Sequence, residues 1–575
     1  MSNPKVEYNN YIRANLPAGI TYDSTRNQYV TGNGKRFVTY KEAKWYLDYI
    51  IKFGYNPNSY AANGFEPKFV SDFVENYFRV DGNTSSFNSA LEPTATTNGT
   101  MIDSDGSLKW RPHNIVTHPF SFTTGWGTLT QGDGVTPVIT NNAGLAPDGT
   151  STAARMQMAR GSVGSPNRSA LNKSFTVQAG LGFEAGIWVK SYDGSEYDIV
   201  LNLAGTTGAT SVLTVDSTWR KISTVEPIAP NSSGSVSFRL GITDADTDDL
   251  TADILMWGAS IKGAYDFDMV DDPDPYWAGD PQLVAVDNQS AAVYKPRRNQ
   301  HIWDGSAWVK AGTLIEPQTR TTLLLNSGSL STQSVTVSAT SHTLHFTGTG
   351  SITLSGAHSA TLSGTGAGEE NRVRLTFTPS AGTLVVTVAG TVTNAQLEEG
   401  STPSSYIPAT GSQVARAAEQ IVIPHENISW PAGDELSIHL KFLATYADDG
   451  GSFLPLYWSS GSNSIQYYID TASGTGQVKV FQFGALGSSG VVSGASVYSS
   501  GINVPMNVAS RHEASSFNIA VDGSAPTENI TNTGFPDLET ADLQLAYTGG
   551  SMIMQEVSLW DVGIGDAGTE DATDD

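Results

Sequence analysis

Two adjacent carboxylate pairs, Glu369-Glu370 and Glu398-Glu399, are the first candidates for chemistry in this sequence. Glycoside hydrolysis needs an acid and a base or nucleophile about 5–10 Å apart across one bond. Neighbours on a strand point to opposite faces, so neither pair flanks a single bond, and the chain reads as a non-enzyme. The nine histidines are scattered. His342 and His345, the closest pair on a strand-like run, sit three apart and so on opposite faces, as lone surface or cleft residues rather than metal ligands. Asp244, Asp246 and Asp248, with Asp249 beside them, form a run of hard oxygen donors of the kind calcium selects. A structural calcium is one expectation and a solvated acidic turn the other, since no glycine and distal glutamate complete a known loop. No other cofactor is expected. Aromatic rings are the remaining chemistry, because they can stack on sugar rings. The expected glycan site is Tyr457, Trp458, Tyr467 and Tyr468, with Trp126 as an outlying candidate. Trp277, Trp303 and Trp308 also sit near turns, whereas Trp188, Trp219 and Trp257 lie in strand patterns that assign them to cores.

The elements that would carry these residues are mostly strands. Residues 1–80 are read as a small α/β cap. A β pair spans 20–38, with Tyr22, Tyr29 and Val30 before the turn at Gly32-Asn33-Gly34 and Phe37-Val38 after it. Thr39 and Glu42 have capping-box spacing, and Ala43, Tyr46, Leu47, Ile50 and Ile51 follow at helical period. A second helix is expected from near Pro67, burying Phe69, Phe73, Val74 and Tyr77. Residues 81–109 read as a linker. From 110 to 265 the period is two, with turns at regular intervals, which predicts a β-sandwich. Residues 266–320 read as a connector heavy in Asp, Pro and Trp. Residues 321–397, with no Lys and no Trp, predict a Ser/Thr-faced sandwich, and after a connector at 398–418 residues 419–562 predict a last β unit. The acidic residues 563–575 read as a mobile tail. The fold class is therefore mainly β: a small N-terminal α/β cap followed by tandem, jelly-roll-like β-sandwich domains.

Bulk composition limits the partners. The chain has 575 residues and a formal charge of −25, from 57 acidic and 32 basic residues. Such a surface repels phosphate backbones and argues against nucleic acid as partner. Residues 1–80 carry ten Lys/Arg against seven Asp/Glu, so the cap is a surface of opposite sign, suited to docking. There is no cysteine, which excludes disulfides and thiolate metal sites and fits synthesis in a reducing cytoplasm. Met1-Ser2-Asn3-Pro4-Lys5 opens no signal peptide, and no run of about 18 apolar residues predicts membrane insertion.

Two stretches resemble known families. Asn114-Ile115, Phe122, Trp126, Phe183-x4-Trp188-Val-Lys190, Ser217-Thr-Trp219-Arg220 and Leu255-Met-Trp257-Gly258-Ala259 follow the order seen in jelly-roll carbohydrate-binding modules. Arg320-Thr-Thr-Leu-Leu-Leu-Asn326-Ser327 opens the next unit. Thr393-Asn-Ala-Gln396-Leu-Glu398-Glu399-Gly400 closes it, with Ser404-Ser405-Tyr406-Ile407-Pro408 and Gln413-Val-Ala-Arg416 following. This resembles a connector of tail-fibre and other appendage proteins of tailed phages, where it leads into a laminin-G- or concanavalin-like sandwich; Ala415 replaces the usual Thr. The resemblance implies a virion appendage (fibre, spike or head fibre) that binds host surface polysaccharide for adsorption. It also implies anchoring to other virion proteins through residues 1–109, a homo-oligomer with a trimer favoured, and a place in the virion. The alternatives are a capsid-decorating or baseplate scaffold without ligand, and a polysaccharide-degrading enzyme or its accessory module.

Overall fold

The computed structural model describes residues 99–263 and 293–574, apart from short loop stretches, together with strands at 20–23, 28–31, 36–37 and 67–72. The period-two patterning becomes antiparallel sheet throughout, and the protein is mainly β.

The first sandwich pairs two five-stranded sheets. One runs Arg220–Glu226, Phe183–Ser191, Thr251–Gly263, Ala153–Ala159 and Val135–Gly144; the other runs Ala209–Val215, Tyr197–Ala204, Ser235–Thr243, Arg168–Thr176 and Gly127–Gln131. Phe183, Ala185, Ile187 and Val189 alternate inward to meet Leu201, Phe238 and Leu240 from the facing sheet, because successive residues on a strand face opposite sides. The second sandwich stacks a four-stranded sheet on a three-stranded one around Leu344, Phe346, Ile352, Leu384 and Leu397. The last is the largest. A six-stranded sheet (Ile421–Ile423, Leu543–Thr548, Ser452–Ser460, Asn463–Asp470, Gln477–Phe483 and Ser489–Val497) packs on an eight-stranded one whose long strands are Glu435–Tyr446, Gly501–Glu513 and Ser551–Trp560.

Several sequence expectations change here. The second helix expected from near Pro67 is instead the strand Pro67–Asp72, antiparallel to Ser551–Trp560 and part of the last sandwich's sheet. Proline is tolerated at the first residue of a strand, where no ladder bond is lost. The expected first helix, together with Phe73, Val74 and Tyr77, lies outside the described residues. The expected β pair is present and has a third strand, with Ile20–Asp23, Gln28–Thr31 and Arg36–Phe37 in order. The end of the 81–109 stretch is not linker: Thr100–Ile102 and Leu108–Trp110 form a hairpin with Met101 and Trp110 buried. Within 266–320, Arg297–Trp303 and Trp308–Ile315 are a hairpin at the edge of the eight-stranded sheet, with Ile315 in the last core. The acidic tail is ordered as the helix Gly565–Asp571. Asp566 pairs with Arg511 at 3.1 Å, and Asn507 Nδ2 donates to the Thr573 carbonyl at 3.0 Å.

These pairings change the topology from a string to an insertion. The last sandwich takes strands from both sides of the second sandwich, which leaves and re-enters through the strand pair Arg320–Thr322 and Val414–Arg416. Paired antiparallel strands lie about 5 Å apart, so the second sandwich is a loop insertion with a double-stranded neck.

Candidate functional site

The solvent face of the six-stranded sheet carries the aromatic residues best placed to meet a ligand. In Asn463–Asp470, Ile465, Tyr467 and Ile469 point into the core, so Gln466 and Tyr468 point out. In Gln477–Phe483, Val478 and Val480 point in, so Lys479, Phe481 and Phe483 point out. Strand register then lines up Gln544, Tyr457, Gln466, Phe481 and Val491 across five strands. At ~4.8 Å per strand this row runs roughly 19 Å, long enough for several sugar rings. The rings form two groups. Tyr457 stacks on the exposed Tyr547 with centroids 4.3 Å apart and planes 22° apart. Tyr468 meets Phe481 edge-on at 6.0 Å, and Phe481 lies 6.3 Å from Phe483 at 13°. Tyr547 reaches this face through a bulge. Ala546 takes φ 49° where the register slips opposite Leu454/Leu456, so Leu545 and Ala546 both bury and Tyr547 turns outward. An L-residue in the left-handed region costs about 1–2 kcal/mol, so strain sits directly beside the aromatic row.

The sequence-expected aromatic set is divided by this geometry. Tyr457 and Tyr468 are half-buried on the open face. Trp458 and Tyr467 are 1% and 0% exposed, so no sugar can reach either ring. Trp458 donates to the Ala541 carbonyl at 2.7 Å and packs edge-on against Trp430. Their inward placement follows from alternation: Tyr457 and Trp458 are adjacent, as are Tyr467 and Tyr468, and only one of each can face out. Phe481, Phe483 and Tyr547 were missed. Val478-Lys-Val-Phe carries the signal for Phe481, whereas the bulge that turns Tyr547 leaves no mark in local composition. Trp126 belongs to the first sandwich's structure, its Nε1 donating to the His118 carbonyl at 3.0 Å. Phe122 and Phe238 lie 5.2 and 5.4 Å away, and Lys173 Nζ sits 5.1 Å over its ring.

Beneath the aromatic row lies a polar cluster with catalytic residue types and no access. Ser510 Oγ is 2.7 Å from His512 Nε2, and His512 Nδ1 is 2.9 Å from Gln482 Oε1. Gln482 Nε2 donates to the Glu513 and Gly534 carbonyls, so its oxygen faces the ring and His512 Nδ1 carries the proton. Nε2 is then the acceptor from Ser510, the arrangement that activates a serine. Yet Ser510, His512 and Gln482 are all fully buried, and Tyr467 Oη closes the cluster 2.5 Å from Ser510. Burial, with Arg511 nearby, pushes His512 down to about 3. The cluster joins the two sheets and meets no substrate.

The acidic run at 244–249 is organised by an arginine. Arg160 Nη1 pairs with Asp244 at 2.7 Å, and its other nitrogens donate to the carbonyls of Thr247, Asp248 and Asp249 at 2.6–3.1 Å. Asp249 accepts the Asp198 amide at 2.6 Å. The guanidinium thus balances Asp244 and ties down the carbonyls of the run; Asp246 lies outside the described residues. No group of three or more metal-binding side chains gathers among the described residues.

The carboxylate pairs also resolve. Glu398 is buried and Glu399 exposed, as strand geometry requires. Glu369 and Glu370 are on a 3-10 turn, Glu369–Asn371, so the opposite-faces argument does not govern them. Arg372 instead holds Glu369 through two bonds at 2.6 and 2.7 Å. His342 and His345 are on opposite faces but both buried, 1% exposed each, rather than at the surface: Phe377 stacks on His342, and His345 lies between Arg372 at 2.8 Å and Glu398 at 3.4 Å. Burial first, then the adjacent Arg372 charge, holds His345 below its usual range against the pull of Glu398, so the ring is neutral.

The connector at 396–416 is the fastening of the neck. Gln396 Oε1 accepts the Ile407 amide at 2.6 Å, and Glu398 accepts both the amide and hydroxyl of Ser404 at 2.7 Å. Ser405 gives its amide and hydroxyl to Glu316 at 2.8 and 2.7 Å. Tyr406 Oη bonds Ser327 Oγ at 2.8 Å. Glu316 and Glu419 both pair with Arg297, and Arg416 Nε lies 3.3 Å from Glu316; all four charged groups are buried. Burial would raise the Glu316 carboxyl, but the Arg297 and Arg416 charges overcome this and hold it well below the usual range.

No family model matches the chain, and no curated protein does. Among solved structures, the binding domain of Paraclostridial Mosquitocidal Protein 1 is 7% identical over 27% of this chain and 43% of its own length, with a TM-score of 0.22. The tailspike protein 4 enzymatic domain of bacteriophage CBA120 is 12% identical over 26% of this chain and 21% of its own, at 0.19. The family 11 carbohydrate-binding module of a Clostridium thermocellum cellulosomal cellulase is 12% identical over 27% of this chain and 96% of its own, at 0.20. The chain therefore spans less than half the length of the first two. Scores this low bear on neither the whole chain's architecture nor its function.

Proposed function

We propose that this chain is a display protein of a phage-like particle that holds a host surface polysaccharide on the open face of its last sandwich. The observation that carries the binding half is the outward row of Tyr547, Tyr457, Tyr468, Phe481 and Phe483. Aromatic faces set along a flat sheet favour stacking on a linear chain of sugar rings. The particle half rests on the resemblance of the 396–416 connector to those of phage appendages. In this reading the protein binds without turnover, because Glu316, Glu369 and Glu398 are each committed to ion pairs or hydrogen bonds within the chain. Individually weak contacts gain strength through repetition in a symmetric oligomer, with residues 1–109 toward the particle.

The test is adsorption and imaging together. Purified chain should co-sediment with host envelopes and be displaced by the host's purified surface polysaccharide, and cryo-electron microscopy of particles should place it in an appendage. Protein absent from particles, or unbound to any envelope, contradicts the reading.

A further inference from the structure

A second opening, separate from the aromatic sheet face, lies where the neck meets the last sandwich. It is a cleft of about 340 Å³, within the range of roughly 300–1,000 Å³ usual for small-ligand sites. Its walls come from the hairpin 100–110, the hairpin 297–315, the 3-10 turn at 369–371, the connector at 403–406 and Ile502 and Asn503 at the start of the strand Gly501–Glu513. Five separate parts of the sequence therefore converge on one opening.

Two tryptophans mark one wall. Trp303 and Trp308 are cross-strand partners flanking the turn 304–307, with ring centroids 5.5 Å apart at 57°. Trp303 is 40% exposed. A large aromatic ring left this open at a cleft mouth leaves apolar area for a ligand to cover. Trp308 is seated by Gly106: a Cβ there would lie 2.2 Å from the indole nitrogen, and the position also requires φ 81°. Gly106 thus admits the indole, and the local hairpin is shaped around it.

The charged groups supply the polar half. Glu316 is neutralised by two arginines and Glu369 by Arg372. Glu370 folds back on its own turn, where Asn371 Nδ2 donates to it at 2.8 Å and Gly368 has no side chain to obstruct it. Arg374 is different. It is exposed on the cleft wall, and among the described residues no hydrogen bond or ion pair holds its guanidinium. A free guanidinium offers a planar fork matched to a carboxylate. The chain's overall charge of −25 does not forbid an anionic ligand at this point, since charges beyond a Debye length of about 8 Å are screened at physiological salt.

We infer that this cleft binds a carboxylate-bearing pyranose, a uronic-acid unit of an acidic polysaccharide, with Trp303 and Trp308 against the ring and Arg374 on the carboxylate. In such a sugar the carboxylate projects from the ring edge, leaving the faces free for an aromatic partner while a guanidinium approaches from the side. The assignment rests on the reading of the chain as a glycan binder, but not on the aromatic sheet face.

Calorimetric titration of the full chain with an oligogalacturonide, and with the same oligosaccharide after carboxyl reduction, tests it. Binding of the acidic form, with at least a roughly tenfold weaker response to the reduced form, is expected. Arg374→Ala and Trp303→Ala should each weaken the acidic ligand roughly tenfold, Arg374→Lys should restore part of it, and Tyr457→Ala and Phe481→Ala should leave it unchanged. Circular dichroism melting confirms that each variant is folded. No heat with the oligogalacturonide at about 1 mM, or binding that Arg374→Ala leaves intact, overturns the assignment. Loss only in Tyr457→Ala and Phe481→Ala also overturns it, while upholding glycan binding on the sheet face.

Discussion

His512 shows how one buried group couples stability to pH. It titrates at about 6.5 in an unfolded chain, whereas burial in the native cluster lowers it to about 3. Between those values the unfolded state binds a proton that the native state refuses. The native advantage is therefore complete above pH 6.5 and shrinks as pH falls toward 3, by up to about 1.4 kcal/mol per unit. Denaturant titrations from pH 7 to pH 4 should show this slope, and His512→Asn should flatten it even though the variant is less stable at neutral pH. Equal slopes for both proteins would remove His512 from the account. The residue scale is also where the sequence was most ambiguous. Adjacent pairs such as Tyr457-Trp458 announce that one ring is buried and one exposed, but which one is decided by register against the neighbouring strands. Arg160 stands some 85 positions before the acidic run whose oxygens it occupies, and no local spacing reveals such a partner.

At the scale of elements, the period-two runs were legible because strand burial imposes alternation, and most strands fall where those runs lie. The failures share a cause: short polar or proline-led stretches take their structure from distant partners. Pro67–Asp72 is a strand because Ser551–Trp560 offers it an edge, and the acidic helix forms where Arg511 and Asn507 receive it. Removing residues 565–575 should therefore cost roughly 1–3 kcal/mol, since Asn507 Nδ2 loses its acceptor and Arg511 one of its carboxylates. An unchanged denaturation midpoint would show the tail to be idle. The neck makes a stronger demand. Arg297→Met leaves Glu316 and Glu419 buried with only Arg416 to balance them, and should destabilise by about 3–5 kcal/mol in equilibrium unfolding. A loss below about 1 kcal/mol would mean that the four charges contribute no more than a surface pair. The connector's residue pattern was visible in the sequence; its physical role was not, because its partners Arg297, Glu316 and Ser327 lie up to about a hundred residues away.

For the whole molecule, the insertion replaces a linear chain of modules with a branch. Composition and period identify each sandwich, but an insertion is invisible to both, since the host's two halves read as a connector and a separate domain. Replacing residues 323–413 with a short Gly-Asn-Gly turn should leave the last sandwich folded, because the paired strands retained at the neck already hold the cut ends close. A replacement that unfolds the last sandwich would show the two units to be one cooperative body. The branch also separates the two proposed ligand surfaces, the aromatic sheet face and the cleft at the neck, which a symmetric assembly would present in several copies. Binding on the sheet face is tested most directly by titrating the full chain with the host's purified surface polysaccharide, alongside Tyr457→Ala, Phe481→Ala and the control Trp430→Phe, a half-buried ring packed on the core side of the sheet. The account predicts saturable binding without release of reducing ends, weakened roughly tenfold by each exposed-face substitution and unchanged by the control. Wild-type affinity in both exposed-face variants would contradict it.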